Sequence, residues 1–345
     1  MKIGILTAGG DCPGLNAAIR GVAKTALIEH NMQVLGISSG FLGLIENEYF
    51  EIQERHLSGI LTEGGTILGT SREKPFRKSD NYLMEIDKPE IIRRNYEKLG
   101  LDCVVCIGGN GTMKTAWRLS ELGLNIIGIP KTIDNDVWGT EVTFGFDSAV
   151  TIAAEAIDRL HSTANSHKRI MVIEVMGHHA GWIALYAGIA AGGDIILLPE
   201  IEYEDEIIAE YLGQRARAKK DYSIVVVGEG ISEGKKRGAA FNIAKKISKL
   251  TGLETRETVL GYIQRGGTPT PMDRILATRY GAFATELISK ENYGNMVALQ
   301  KNNIVEVPLN KVSDKVRTVP QKHPLVMQAR NMGTCFGDKI CSKLN

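Results

Sequence analysis

The chain has 345 residues, which at roughly 150 residues per domain predicts two domains with a sizeable core and excludes a small disulfide-stapled module. Apolar residues make up 43% and charged residues 23%, and 41 Lys plus Arg against 40 Asp plus Glu leave a net charge of +1. That balance gives no global electrostatic case for a nucleic-acid or membrane partner. Glycine is in excess, with 38 residues gathered in clusters that end apolar runs, a pattern of ligand loops on an α/β frame.

From the N-terminus, the apolar run IGILT at 3–7 reads as a strand, and the helix after it carries Ile19, Val22, Ala23, Ala26 and Leu27 on one face. Further strands are predicted at VLGIS from 34, CVVCI from 103, IIGI from 126, IMVIEV from 170, IILL from 195 and IVVV from 224, most of them separated by helical segments. This is the βαβ rhythm of parallel sheets, and eight to ten strands are too many for one comfortable sheet. The expected fold class is therefore α/β with two Rossmann-like, doubly wound domains. The first seam is expected just after IDNDVWGT at 133–140. The lysine runs at 219 and 235 read as solvated loop faces, and the tail beyond about Val312 as a surface extension.

The five cysteines, Cys12, Cys103, Cys106, Cys335 and Cys341, are odd in number and too sparse for a disulfide framework, which points to a reducing cytoplasm. Cys103 and Cys106 form a CxxC inside an apolar strand, where alternation sends positions three apart to opposite faces, so they are expected to be buried rather than redox-active. The longest uncharged run near Trp182, Ala180 to Gly193, is too short to span a membrane.

Two glycine loops leave strand ends and open helices: GGDCPGLN at 9–16 and GGNGT at 108–112. Open backbone N–H groups at helix N-termini bind phosphate. Neither loop matches a Walker P-loop or a dinucleotide fingerprint, and GGNGT by itself also resembles the GGDGT loop of NAD and lipid kinases. PKTIDND, Pro130 to Asp136, follows the strand IIGI and places a hydroxyl and two carboxylates within five residues, groups suited to base and metal work on a phosphate donor.

Together with GTSREKPFR (69–77), SHKRIMVIEVMGHHAGWIA (166–184) and RETVLGYIQRGGTPTPMDRILATR (256–279), these loops resemble the phosphofructokinase family in order and spacing from Lys2 to about Gln300. The resemblance implies phosphorylation of fructose 6-phosphate at its 1-hydroxyl, Mg²⁺ as cofactor, and a homo-oligomer, tetramer or dimer, whose sugar site spans subunits. It implies a phosphoryl-donor domain of 1–140 plus about 265–302, a sugar-phosphate domain of 141–264 plus about 303–325, and an extension at 326–345. It assigns Gly10, Arg72, Arg77, Gly109, Asn110, Gly111 and Thr112 to the donor, and Thr132, Asp134 and Asp136 to the chemical centre. Asp134 would accept the sugar hydroxyl's proton, Asp136 with Asn110 would attend the metal, and Arg72 and Lys131 would spread positive charge over the transferring phosphoryl group. Met176, Gly177, His178, Glu229, Tyr262 and Arg265 would grip the sugar phosphate, with Arg169 and Arg256 supplied from a second subunit.

Four positions depart from the usual family pattern. Gly111 leaves room for a nucleotide and argues for ATP, whereas Lys131, in place of a glycine, is usual in pyrophosphate users. Asn110 replaces an aspartate, His178 an arginine and Tyr262 a histidine. A pyrophosphate-dependent enzyme and a catalytically weak sugar-phosphate sensor are therefore the alternative readings, and sedoheptulose 7-phosphate is an alternative acceptor. An effector site is only partly matched, by Arg20, Lys24, Asp194 and Lys220, with His161 where an arginine is common.

Overall fold

The structure is a computed structural model that describes residues 1–77, 87–232 and 238–339, so the basic run at 235–237 and Cys341 lie outside the described residues. The strands are β1 (Lys2–Thr7), β2 (Gln33–Ile37), β3 (Tyr49–Glu51), β4 (Cys103–Gly108), β5 (Ile126–Pro130), β6 (Ile170–Val175), β7 (Ile195–Leu197), β8 (Ser223–Gly228), β9 (Thr255–Val259), β10 (Asn295–Gln300) and β11 (Asn303–Pro308). The helices are α1 (Leu15–Ile28), α2 (Phe41–Glu46), α3 (Lys88–Leu99), α4 (Asn110–Glu121), α5 (Phe146–His167), α6 (Trp182–Ala190), α7 (Asp205–Arg217), α8 (Ala239–Thr251), α9 (Pro271–Ser289), α10 (Leu309–Val312) and α11 (Pro324–Asn331).

The chain divides into two compact units. The first, Met1–Thr132, Asp136–Asp147 and Arg265–Val316, holds a seven-stranded sheet in the order β11-β10-β5-β4-β1-β2-β3. Its centre is parallel and its two edges, β3 and β11, run antiparallel to their neighbours. The order reverses between β1 and β4, so the loops at 8–14 and 108–112 both leave the carboxyl ends of the strands at the switch point, where open α/β sheets bind ligands. Every residue of β4 and β5 is buried, as a strand covered on both faces requires. Cys103 and Cys106 are both fully buried with burial pushing their thiols up, which bears out the reading of this CxxC as strand core. Helix α1 meets α9 through paired glycines: a Cβ on Gly21 would lie 2.8 Å from the Thr278 carbonyl oxygen, and one on Gly281 2.6 Å from that of Ala18. Leu27, expected on the buried face of α1, is half-buried near the helix end.

The second unit, Ile133–Asn135, Ser148–Gln264 and Arg317–Asn345, holds a parallel four-stranded sheet in the order β7-β8-β6-β9. Strands β6 and β8 are wholly buried, whereas β9 (TRETV) is an edge strand with Arg256, Glu257 and Val259 exposed.

Three expected boundaries differ from these units. Residues 141–147 stay with the first unit, because the Thr140 hydroxyl lies 2.8 Å from that of Tyr280 and the Glu141 amide donates to the Leu299 carbonyl at 2.9 Å. Residues 303–316 also belong there rather than with the sugar-phosphate side, because β11 pairs antiparallel with β10 along its whole length. The tail is not a surface extension. Val326, Ala329, Cys335 and Phe336 are fully buried, and Cys335 adds a parallel bridge beside Ile195, its amide donating to Asp194 and its carbonyl accepting from Ile196 at 3.0 and 2.9 Å. Bidentate Arg330–Asp338 bonds of 2.7 and 2.8 Å close the segment. Phe336→Ala is therefore expected to cost about 3–5 kcal/mol, the range for emptying a buried aromatic site, read as a lowered urea midpoint.

Candidate active site

In the first unit, the loop after β1 turns on Gly9, whose φ of +88° suits glycine and whose backbone is clasped on both sides. Its N–H donates to the Ser71 carbonyl at 2.9 Å, and its own carbonyl accepts from the Thr70 hydroxyl at 2.7 Å. The segment carrying Arg72 and Arg77 is thus fixed to the glycine loop, and both arginines are exposed. Lys131 is 4% exposed, and its ammonium donates to the Gly10 carbonyl. Arg265, assigned by the resemblance to the sugar phosphate, opens the returning segment at 265 that was expected in this unit: its Nη1 donates to the Asp11 carbonyl at 3.1 Å and would stand 2.6 Å from a Cβ on Gly10. Cys12 in the same loop is buried, which pushes its thiol up to about 12 and makes it inert at neutral pH.

The second loop enters α4 at Asn110. Thr112 is buried, and its hydroxyl donates to the Ala8 carbonyl at 3.4 Å, tying the two glycine loops together. Gly111 is exposed, and a Cβ there would meet no atom within 4 Å. Gly109 lies against β5's end, where its Cβ would come 3.5 Å from the Lys131 carbonyl oxygen. The Asn110 amide nitrogen donates to the Asp136 carboxylate at 2.8 Å and to its backbone carbonyl at 3.2 Å. Asn110 therefore turns its nitrogen, not its oxygen, to Asp136, and its Oδ1 is buried with no hydrogen-bond partner.

The PKTIDND segment follows β5 directly. Lys131 N–H donates to the Gly108 carbonyl at 2.9 Å, and the Thr143 hydroxyl donates to the Thr132 carbonyl at 2.7 Å. Asn135 then takes a left-handed φ of +53° and is 2% exposed, a conformation that asparagine tolerates better than most residues. Half-buried Asp134 and Asp136 flank it. Among the described residues no group of three His, Cys, Asp or Glu forms a metal cluster.

In the second unit, β6 delivers Met176, which is 9% exposed, and its amide donates to Gln264 Oε1 at 3.4 Å. Gly177 has a φ of +143°, and a Cβ there would collide with the Ala180 carbonyl oxygen. Glu229 Oε1 accepts from the Gly177 and His178 amides at 3.2 and 2.7 Å, so Met176, Gly177, His178 and Glu229 form one loop pair. Two residues upstream, burial raises the pKa of Glu174, and its carboxylate accepts from the Ala240 amide at the start of α8 at 2.9 Å. Arg169 and Arg256 share one Glu254 oxygen at 2.9 and 2.8 Å, and Tyr262 is 74% exposed. Gln264 and Thr143, which the sequence reading did not single out, hold these loops; Gln264 lies inside the quoted motif RETVLGYIQRGG, but no pattern marks a buried amide as a loop clasp.

Asp194 and Lys220 line a cavity of about 340 Å³ with His161 and Arg215. Asp194 pairs with Arg215 at 2.7 Å, and burial still raises its carboxyl pKa. Arg20 and Lys24 lie on α1 in the first unit.

A family model described as phosphofructokinase matches residues 2–288. The chain belongs to the phosphofructokinase family. Among its relatives, a protein of Bacteroides thetaiotaomicron named ATP-dependent 6-phosphofructokinase 3 is 59% identical over 98% of this chain and 100% of its own length. One of Spirochaeta thermophila, named ATP-dependent 6-phosphofructokinase, is 56% identical over 98% of both. The solved phosphofructokinase of Saccharomyces cerevisiae aligns with a TM-score of 0.80 at 32% identity over 90% of this chain, which spans 45% of the yeast chain. A pyrophosphate-dependent phosphofructokinase from Nitrosospira multiformis aligns with a TM-score of 0.84 over 93% of this chain and 86% of its own, and at 22% identity it shares the fold alone. The α/β phosphofructokinase fold expected from the sequence is the one observed.

Proposed function

We propose that this phosphofructokinase transfers the γ-phosphoryl group of ATP to the 1-hydroxyl of fructose 6-phosphate, giving fructose 1,6-bisphosphate and ADP. The observation that carries the reading is the turn after β5, where two half-buried carboxylates flank a left-handed Asn135 at a strand end. Relatives at 59% and 56% identity carry the name of this activity.

Asp134 takes the proton of the 1-hydroxyl as that oxygen attacks phosphorus and the bond to the β-phosphate oxygen breaks. Arg72 and Lys131 offset the charge on the transferring group, while the Gly10 and Gly109–Thr112 backbone receives the donor phosphates. Mg²⁺, a hard cation that takes oxygen ligands, would suit the carboxylate of this turn. Asp136, whose carboxylate accepts from the Asn110 amide nitrogen, is the residue that would hold it, and the ion would supply neutralisation of phosphate charge. Met176, Gly177, His178, Glu229, Tyr262 and Arg265 serve the sugar phosphate, with Arg169 and Arg256 reaching a second copy's substrate in a homo-oligomer. Cys12, Cys103, Cys106 and Cys335 are buried, and the sparse cysteine content of the sequence supports a cytoplasmic location.

The test is fructose 1,6-bisphosphate formation with Mg²⁺ and fructose 6-phosphate, run in parallel with ATP and with pyrophosphate. Activity with ATP alone is expected. Activity with pyrophosphate alone would assign the donor to Lys131 chemistry instead, and no activity with either would favour a sugar-phosphate sensor.

A further inference from the structure

The tail that enters the second unit at Arg317 lies outside every family motif read from the sequence, yet it meets the turn between the two candidate carboxylates. Val316 forms an antiparallel bridge with Val137, which sets the register of the two segments. One residue on, Arg317 Nη1 donates to the backbone carbonyl of Asn135 at 3.0 Å. Arg317, Asn135 and Asp134 all belong to the second unit.

The guanidinium is itself held in place. Its Cζ lies 4.0 Å from the centroid of the Trp182 ring, and the Trp182 indole N–H donates to the Arg317 carbonyl at 3.1 Å. Trp182 is 2% exposed, opens α6, and meets the His323 ring edge-on at 5.3 Å. A second clasp runs parallel to the first: Glu200 Oε1 accepts from the amides of Gly181 and Val319 at 2.9 and 2.8 Å. The start of α6 therefore fixes the tail at both Arg317 and Val319, and the tail fixes the Asn135 carbonyl.

That carbonyl belongs to the peptide plane joining Asn135 to Asp136. Asparagine tolerates a positive φ, but which way the peptide plane after it faces depends on what its carbonyl bonds. We infer that Arg317 is a positioning residue for phosphoryl transfer, holding the left-handed Asn135 turn so that the Asp134 carboxylate faces the sugar hydroxyl. The inference rests on the reading of Asp134 as proton acceptor. Arg317 acts in this role through the backbone of the turn, so its removal is expected to lower the rate and leave substrate affinity unchanged.

The experiment compares wild type, Arg317→Met, Arg317→Lys and Asp134→Ala by steady-state kinetics, and follows amide hydrogen exchange of the peptide spanning 131–137. Arg317→Met is expected to lower kcat about 10–100-fold, the cost of a small misplacement, with KM for fructose 6-phosphate and ATP within about twofold of wild type. Exchange at 131–137 should rise in the same variant. Arg317→Lys, which keeps a cation over Trp182 and a donor for the carbonyl, should recover most of the lost kcat. A kcat within about twofold of wild type in Arg317→Met, with unchanged exchange, would overturn the inference, as would a loss that appears mainly in KM. Activity retained in Asp134→Ala would instead sink the proton-acceptor reading, leaving the exchange result to judge Arg317. If Arg317→Met fails to fold, Trp182→Phe removes the indole donor and keeps the ring. An intermediate loss of kcat with raised exchange is then expected, and wild-type values of both would overturn the proposal.

Discussion

Asp134→Ala is expected to lower kcat by about 10³-fold while leaving fructose 6-phosphate binding within a fewfold of wild type, because a positioned general base contributes roughly 10²–10⁴ to rate. The residue is half-buried in a turn whose backbone is fixed on both sides, by the Thr143 hydroxyl on the Thr132 carbonyl and by Arg317 on the Asn135 carbonyl. Removing the side chain therefore leaves the turn's supports in place. The sugar phosphate is assigned to groups elsewhere in the chain, among them the Met176–His178 loop held by Glu229, so the change separates chemistry from binding. Turnover by coupled assay and affinity by calorimetry measure the two effects. Loss of binding together with turnover would place Asp134 in substrate recognition instead, and a wild type already without turnover would make the protein a sensor.

Gly111→Asp is expected to cut kcat/KM for ATP by about 100-fold, equivalent to roughly 2.7 kcal/mol, while leaving the protein folded. Gly111 lies in the first turn of α4 with no atom within 4 Å of an added Cβ, and its φ is not in the positive range. The substitution therefore creates no clash and no backbone strain, and its effect falls on the ligand. A carboxylate at the mouth of a phosphate-binding helix N-terminus repels a polyphosphate and occupies the space left for the nucleotide. Kinetics with ATP and pyrophosphate as donors, beside an unchanged thermal midpoint, provide the check. Unaltered ATP kinetics would show that the open face at Gly111 does not select the donor, and attention would move to Lys131, whose ammonium is already engaged by the Gly10 carbonyl.

Much of the frame was legible because buried parallel strands must be continuously apolar. The runs at 3, 34, 103, 126, 170, 195 and 224 all lie in strands, within a residue or two of the expected ends. Strand β9 carried no such signal, since TRETV is a charged edge strand with Arg256, Glu257 and Val259 exposed. Strands β10 and β11 form an antiparallel edge pair late in the chain, and β11 has no fully buried residue. The tail misled for a related reason. Its Lys- and Pro-rich composition describes exposed positions such as Lys315, Pro320 and Lys322, whereas a few separated residues, Val326, Ala329, Cys335 and Phe336, do the packing.

The chemistry was legible for a different reason. Phosphate loops and carboxylate turns need fixed residue types at fixed spacing, so GGDCPGLN, GGNGT and PKTIDND, each weak alone, point to the family when read together with the other motifs in order. The sequence by itself determined the family, the α/β class and the identity of the candidate reacting groups, because each is a local pattern along the chain. Only the tertiary structure decided what holds those groups: that Asn110 turns its nitrogen to Asp136, that Gly10 lies under Arg265, and that Arg317, 182 residues beyond Asn135, fixes the turn between the carboxylates. Such partners are chosen by where separate segments meet as each unit folds, and no periodicity in the chain encodes that meeting.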